Sequence, residues 1–168
     1  ALMQLSQIGE RELVSLLERA VREAGVAGGP PEVLLGIGDD AALLHTGQDH
    51  LLATTDHAVE GVHFLADRVP ARALGWRTMA VNVSDIAAMG GQPRYALVSL
   101  ALPPATPVDW VLQLYAGMAD LCRELGIALV GGDVSSAPAR ILSITLLGTA
   151  SRERDGRPCI LRRSSARP

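Results

Sequence analysis

Aspartates set against apolar segments constrain this chain more than any other feature of its sequence. They lie in four short motifs: Gly38-Asp39-Asp40, Thr54-Thr55-Asp56, Asn82-Val83-Ser84-Asp85 and Gly131-Gly132-Asp133. Carboxylates that converge in a fold repel one another, by roughly 4 kcal/mol per pair at about 4 Å and an effective dielectric of about 20. A fold that gathers them therefore needs cations between them. Oxygen ligands of this kind suit magnesium, which in proteins commonly binds a phosphate substrate as well.

Each motif by itself also has an ordinary structural interpretation. The two glycine-aspartate motifs are typical of turns at the ends of strands. Thr54-Thr55-Asp56 is as typical of a turn or helix cap as of a metal site. The glycines of Gly131-Gly132-Asp133 also allow a phosphate ligand to approach the backbone closely. The metal interpretation depends on the motifs meeting in space.

The third motif lies in a segment whose periodicity predicts a long helix over residues 71–89. Thr78, Asn82 and Asp85 fall at positions i, i+4 and i+7, which places them in one stripe along that helix. A solvated stripe normally holds Glu, Lys or Arg, whereas Asn and Asp are poor residues for a helix interior. A water-facing stripe is the alternative, but the residue types favour a stripe that faces a polar site.

Composition excludes several classes of function. The chain has 168 residues, enough for one domain with a substantial core, and a net charge of −3, which gives no support for nucleic-acid or anionic-membrane binding. No apolar run reaches transmembrane length, and no basic segment followed by an apolar stretch marks the N-terminus as a leader. We therefore expect a cytoplasmic protein that binds neither membranes nor nucleic acid.

The chain contains no lysine, and its 15 lysine-or-arginine residues are all arginine. A Walker A loop needs G-K-[ST], so P-loop phosphate binding is excluded within this sequence, as is lysine Schiff-base chemistry. Any phosphate must therefore be neutralised by metal and arginine. Cys122 and Cys159 form no C-x-x-C pair, which is typical of ordinary reduced thiols.

The apolar periodicity predicts alternating groups of helices and strands. We expect helices over 10–24, 71–89 and 108–125, and strands over 33–37, 41–44, 51–55, 94–102, 128–130 and 141–149, with a loop from 57 to 68. This order predicts an α+β fold of two layers, in which a mixed sheet is covered on one face by two long helices. The strands 95–101 and 141–147 are apolar on both faces. The second face of the sheet therefore needs a partner surface to bury it, and a second copy of the chain in a homodimer is the simplest partner.

A change of composition at Ser151 predicts a domain boundary. Residues 1–150 are expected to form an N-terminal ATP- and metal-binding domain. Residues 151–168 are rich in arginine and almost free of apolar side chains, and are expected to be a linker or the start of a further C-terminal domain.

The motifs, in their order and spacing, resemble those of thiamine-monophosphate kinase. The resemblance is carried by G-I-G-D-D-A-A at 36–42, T-T-D-x-x-V-E-G-V-H-F at 54–64, A-V-N-V-S-D-I-A-A-M-G-G at 80–91 and G-G-D at 131–133. That family belongs to a superfamily with aminoimidazole ribonucleotide synthetase and selenophosphate synthetase. The resemblance implies a kinase that uses magnesium to transfer the γ-phosphoryl group of ATP in line to thiamine monophosphate, giving thiamine diphosphate.

By matching motifs, the resemblance also implies roles for particular residues. Metal ligands would be Asp39, Thr54, Thr55, Asp56, Asp85 and Asp133. ATP contacts would be Tyr115, Gly132, Asp133 and Arg163, the last in R-S-S-A where the family has R-S-G-A. His63 would contact thiamine monophosphate. No protein nucleophile is implied, since phosphoryl transfer depends on positioning and charge neutralisation.

Two other interpretations stay open on the sequence. The first is a non-catalytic dimerisation or metal-binding half-domain, because the family has two domains and the match covers the first. The second is another ATP-dependent member of the superfamily. Selenophosphate synthetase is disfavoured by the absence of lysine and of any cysteine before Cys122. Aminoimidazole ribonucleotide synthetase is disfavoured because residues 56–63 replace its D-G-V-G-T-K motif.

Overall fold

The computed structural model describes residues 12, 15, 16, 19, 23, 33–35, 41–47, 49–152, 158, 159 and 161. The described elements are β1 (Val33–Leu35), β2 (Ala42–Thr46), β3 (Asp49–Val59), α1 (Ala71–Ala88), β4 (Gly91–Leu102), α2 (Val108–Leu125), β5 (Ala128–Ser136), β6 (Ile141–Arg152) and β7 (Pro158–Cys159). This confirms the predicted order of strands and the two long helices. In the predicted helix over 10–24, the five described residues are helical and exposed.

The strands form one mixed sheet in the order β1-β2-β3-β6-β4-β5, and β7 pairs with the end of β6. Strand β5 runs parallel to β4, whereas the other pairs are antiparallel. Parallel neighbours need a crossover connection, which α2 supplies between β4 and β5. The predicted α+β fold with a mixed sheet is confirmed.

Both long helices cover the same face of the sheet. Alternate residues of the central strands point toward them and are buried, among them Val98, Leu100, Leu142, Ile144 and Leu146. On the opposite face of β4, Tyr95 and Leu97 are 51% and 39% exposed. The chain therefore builds its core on one side of the sheet and leaves apolar side chains open on the other.

The helices α1 and α2 cross at two glycines. A Cβ atom at Gly75 would overlap the carbonyl oxygen of Leu114, and one at Gly117 would overlap the carbonyl oxygen of Arg72. Only glycine allows the two backbones to approach so closely. The close crossing packs α1 tightly against α2, while α1 also contacts β3, β4 and β6 of the sheet.

Strands β3, β4, β5 and β6 are longer than the sequence predicts, and β3 and β5 differ most from the prediction. Strand β3 continues through His57 to Val59, in place of the expected loop, because Val59 pairs with Ile141 of β6. Strand β5 continues through Gly131-Gly132-Asp133, in place of the expected turn, because these residues pair with β4. In both cases pairing with a neighbouring strand overrides weak local β-propensity.

The C-terminal part that the structure describes stays attached to the sheet. Strand β6 extends to Arg152 and pairs there with β7, and the N–H of Leu161 donates to the carbonyl oxygen of Met89 over 3.3 Å. The domain boundary expected near residue 150 stays a prediction. Neither of the two described long helices is apolar enough to cross a membrane.

Replacing Gly75 or Gly117 by alanine is expected to destabilise the fold, although alanine favours helices intrinsically. The added methyl group must force the helices apart, so we expect a loss of about 1–3 kcal/mol in the free energy of unfolding, measured by urea denaturation. The exposed Gln113→Ala on α2 is the control and should change stability by less than about 0.5 kcal/mol. A stabilising effect at both glycines would contradict the close crossing.

Candidate functional site

A cleft of about 260 Å³ lies between α1 and the ends of β3 and β6. Its lining combines polar and apolar side chains: Asp56, His57, Ala58, His63, Leu74, Arg77, Thr78, Val81, Asn82 and Leu142. The polar residues come from β3, the turn after it and α1, whereas β6 contributes the apolar Leu142. Such a mixture suits a small organic ligand with a charged group.

The polar stripe of α1 faces the sheet, as predicted, and not water. Thr78 and Asn82 are 9% and 1% exposed. The Thr78 hydroxyl donates to the carbonyl oxygen of Leu74 over 3.0 Å, and the Asn82 amide donates to that of Thr78 over 3.1 Å. Asn82 Oδ1 is buried without a hydrogen-bond partner among the residues that the structure describes. The helix thus satisfies most of its own buried polar groups.

Asp85 continues the stripe and meets β3. The Thr54 hydroxyl donates to Asp85 Oδ2 over 3.1 Å, which joins the second and third motifs across 31 positions of sequence. Asp56 lies two residues after Thr54, on the same face of β3, because side chains alternate along a strand. The structure therefore brings Thr54, Asp56 and Asp85 to one side of the sheet.

The Asp56 side chain is exposed at the cleft and makes no hydrogen bond or ion pair with other side chains in the described part of the chain. The described residues include no group of three or more histidine, cysteine, aspartate or glutamate side chains placed to hold a metal. Asp56, Asp85 and the Thr54 hydroxyl are oxygen donors of the type that magnesium prefers, and magnesium commonly completes its shell with water and phosphate. The local donor set therefore fits such an ion.

Thr55 lies on the opposite face of β3 from its neighbours. Its hydroxyl donates to the carbonyl oxygen of Ile144 over 3.1 Å and lies 3.1 Å from the hydroxyl of Thr145. The Thr55 side chain is thus hydrogen-bonded to β6, and its assignment as a metal ligand stays a prediction.

Gly132 and Asp133 lie on β5, at the far edge of the sheet. Gly132 pairs with Val98, and a Cβ at Gly132 would overlap the Val98 carbonyl oxygen. Asp133 pairs with Ser99, so the two share the face that points away from the helices. Three strand spacings separate β5 from β3, roughly 14 Å. Asp133 and Asp56 are therefore too far apart to bind one ion, and their roles as ligands would require separate ions.

His63 lies at the cleft in the turn after β3. Its Nδ1 accepts a hydrogen bond from the N–H of Val59 over 3.0 Å, which leaves the proton of the neutral ring on Nε2. The ring of His57 meets it edge to face, with centroids 6.1 Å apart. His63 is thus placed to donate a hydrogen bond to a ligand.

The remaining predicted residues are not gathered at the cleft. Tyr115 is half-buried in α2 against the core and is not among the residues that line the cleft. Asp39 and Arg163 lie outside the described residues, so their assignments stay predictions.

Arg77 is the residue at the cleft that sequence reasoning missed. It forms no ion pair with the residues described here, and it lines the same cleft as Asp56 and His63. The sequence feature that could have indicated Arg77 is its position directly before Thr78, the first residue of the polar stripe. An arginine without a carboxylate partner suits an anionic group such as phosphate.

The chain matches a known protein family over most of its length. Residues 38–150 match the model of the AIR synthase related protein, N-terminal domain, and the chain belongs to this family. The match spans the Asp39 motif, the Thr54–Asp85 pair, the cleft and β5.

Within this family the chain is similar to thiamine-monophosphate kinases, which confirms the resemblance seen in the sequence. The kinase of Synechococcus elongatus is 38% identical over 96% of this chain and 45% of its own length, and that of Aquifex aeolicus is 38% identical over 92% and 47%. A solved structure of AaThiL complexed with AMPPCP and TMP has a TM-score of 0.83 and 34% identity, covering 99% of this chain and 48% of that one. The chain thus spans about half the length of the curated relatives that it matches.

Burial raises the pKa of the Tyr115 phenol above 10.0. Because the folded pKa exceeds the unfolded one, the stability contributed by neutral Tyr115 is complete below about pH 10 and is lost as the pH rises through the folded value. We expect Tyr115→Phe to reduce the loss of melting temperature above pH 10, and ultraviolet titration to show a late phenol ionisation that the variant lacks. A variant with the same alkaline titration as the wild type would contradict the burial of this hydroxyl.

Proposed function

We propose that this chain is the ATP- and metal-binding domain of a kinase that phosphorylates thiamine monophosphate to thiamine diphosphate. The observation that carries the proposal is the Thr54–Asp85 hydrogen bond on the same face of β3 as Asp56, which lines a cleft together with His63 and Arg77. The relatives named thiamine-monophosphate kinase support the activity, and the AaThiL complex with AMPPCP, an ATP analogue, and TMP supports both substrates.

Magnesium is the proposed metal. Asp85, Asp56 and Thr54 would hold one ion, and the proposal extends to Asp39, Thr55 and Asp133 as ligands of further ions. When bound, magnesium supplies positive charge that offsets the repulsion between the phosphates of the two substrates.

The cleft is proposed to bind thiamine monophosphate. His63 donates from Nε2 to the substrate, Arg77 pairs with its phosphate, and the apolar wall around Leu142 covers its organic part. A phosphate oxygen of the substrate is anionic near neutral pH, so it needs no strong base to act as the nucleophile. The residues of the chain therefore orient the acceptor and exclude water, which is the main task of an enzyme in phosphoryl transfer.

The nucleotide is proposed to contact Tyr115, Gly132, Asp133 and Arg163. Gly132 and Asp133 lie in β5, the edge strand of the sheet that the described residues form, and an edge of this kind can accept ligand contacts. Because the chain spans about half the length of its relatives, we use binding as the primary readout for this domain.

We further propose a cytoplasmic homodimer that forms through the uncovered face of the sheet. Tyr95 and Leu97 of β4 are exposed on that face, and apolar patches of this kind mark interfaces. The same surface favours the second candidate function, a dimerisation or metal-binding half-domain without catalysis.

Magnesium with AMPPCP is expected to raise the melting temperature of the wild type by several degrees. Ligand at 100 times its dissociation constant stabilises the folded state by about 2.7 kcal/mol, since the unfolded chain does not gather the carboxylates. Asp56→Asn and Asp85→Asn should each abolish most of this shift in a thermal-unfolding assay, because an amide oxygen carries no charge to attract the ion.

The exposed Asp67→Asn is the matched control and should keep the full shift, since Asp67 pairs with its exposed neighbour Arg68. Calorimetry separates the two candidate functions. Binding of AMPPCP that requires magnesium favours the kinase domain, whereas a well-folded dimer that binds no nucleotide favours the scaffold.

Leu97→Glu is expected to convert the proposed dimer to a monomer, because it places a charge on the uncovered face of the sheet. Sedimentation velocity measures the change, and circular dichroism should show an intact fold since Leu97 is exposed. Leu112→Glu, on the exposed side of α2, should leave the dimer intact. A monomeric wild type at micromolar concentration would contradict the proposed interface.

A further inference from the structure

The turn that carries His63 is shaped by short-range hydrogen bonds. The N–H of Gly61 donates to the carbonyl oxygen of Phe64 over 2.8 Å, and the N–H of His63 donates to that of Val59 over 2.8 Å. Phe64 is 6% exposed and fixes the end of the turn in the core. These bonds define the local shape, but they do not by themselves tie the turn to the elements around the cleft.

Glu60 supplies that tie by pairing with Arg140, which lies directly before β6. Glu60 Oε1 accepts from Arg140 Nη1 over 2.7 Å, and Oε2 accepts from the Arg140 backbone N–H over 3.3 Å. The backbone N–H of Glu60 donates to the Arg140 carbonyl oxygen over 2.9 Å. The two side chains are only 25% and 19% exposed, so salt screens this pair less than a surface pair.

Arg140 is also held from the helical layer. Its guanidinium carbon lies 4.9 Å from the centroid of the Trp110 ring, in the first turn of α2. A cation over an indole face is attracted to it, more strongly when both are desolvated. Arg140 Nε and Trp110 Nε1 are buried without hydrogen-bond partners among the described residues. Within that part of the chain, the charge of Arg140 is therefore offset by the Glu60 carboxylate and the Trp110 ring.

We propose that Glu60, Arg140 and Trp110 form a clamp that positions His63 for the acceptor substrate. The inference rests on the proposed function for the role of His63, and none of the three residues is proposed to touch substrate. The reason is geometric: the N–H that fixes the His63 ring belongs to Val59, the residue directly before Glu60. Loosening the clamp frees Val59 and the turn together, so Nε2 loses its fixed direction at the cleft.

The clamp is tested first by the nitrogen NMR spectrum of the His63 ring in the unliganded protein. The wild type should show one tautomer, with the proton on Nε2, and Arg140→Gln and Glu60→Gln should shift both ring nitrogens toward tautomer-averaged values. Arg72→Gln is the matched control, because Arg72 makes an ion pair with Asp120 of the same 2.7 Å length between the two helices, and it should leave the ring spectrum unchanged. Arg140→Lys keeps the charge and should restore part of the wild-type spectrum.

The second readout is the affinity for thiamine monophosphate, measured by calorimetry in the presence of magnesium and AMPPCP. Arg140→Gln and Glu60→Gln are expected to weaken it by roughly tenfold, equivalent to about 1.4 kcal/mol, while the affinity for magnesium and AMPPCP changes by less than about twofold. An equal loss for both ligands would indicate general destabilisation and overturn a positioning role.

The two readouts separate failure of the clamp from failure of the proposed function. If the wild type binds no thiamine monophosphate, the proposed substrate is wrong, and the ring spectra alone decide the clamp. If Arg140→Gln does not fold, Glu60→Gln and Arg140→Lys provide the comparison. Ring spectra in Glu60→Gln identical to those of the wild type overturn the clamp.

Discussion

The packing of α1 against both α2 and the sheet is the constraint on which the site depends. Gly75 and Gly117 let the two helix backbones touch, while α1 also packs against β3 and β6. The same buried side of α1 holds Thr78 and Asn82, and Asp85 accepts the hydrogen bond of Thr54. Burying polar groups is costly unless they are hydrogen-bonded, and α1 meets most of the cost with its own backbone carbonyls.

The cleft beside α1 is lined by both apolar and charged side chains. Leu74, Val81 and Leu142 are its apolar lining residues, while Arg77 and Asp56 supply opposite charges. A site of this composition holds a phosphate-bearing organic molecule better than a purely apolar pocket, because the charged groups orient it. The proposed kinase chemistry then needs only positioned charges, which this arrangement provides without a nucleophilic side chain.

The sequence predicted the fold well where its periodicity was strong. Helix α2 has the predicted bounds, and α1 ends one residue before the predicted end, since glycines and prolines mark both helices. Strand β5 was predicted too short because the segment G-G-D-V-S-S does not alternate apolar and polar residues and contains few β-branched residues. Its extension depends on pairing with β4. Strand β3 was predicted too short for the same reason, as its last residues are ordered by β6.

The site could be predicted in part. The i, i+4, i+7 stripe correctly indicated that Asp85 faces inward, and the structure brings it to Thr54 and Asp56. The sequence could not say which face of β5 carries Asp133, because a strand without alternating hydrophobicity does not specify its register. Arg77 was missed because an arginine on a helix is ordinarily a solvated residue, and only the cleft distinguishes it.

The most direct test of the account is to locate bound metal with manganese in place of magnesium. Crystals grown with manganese and AMPPCP give anomalous difference peaks at each ion. The account predicts a peak within about 2.5 Å of carboxylate oxygens of both Asp56 and Asp85. Bound nucleotide with every manganese peak distant from these two residues would contradict it.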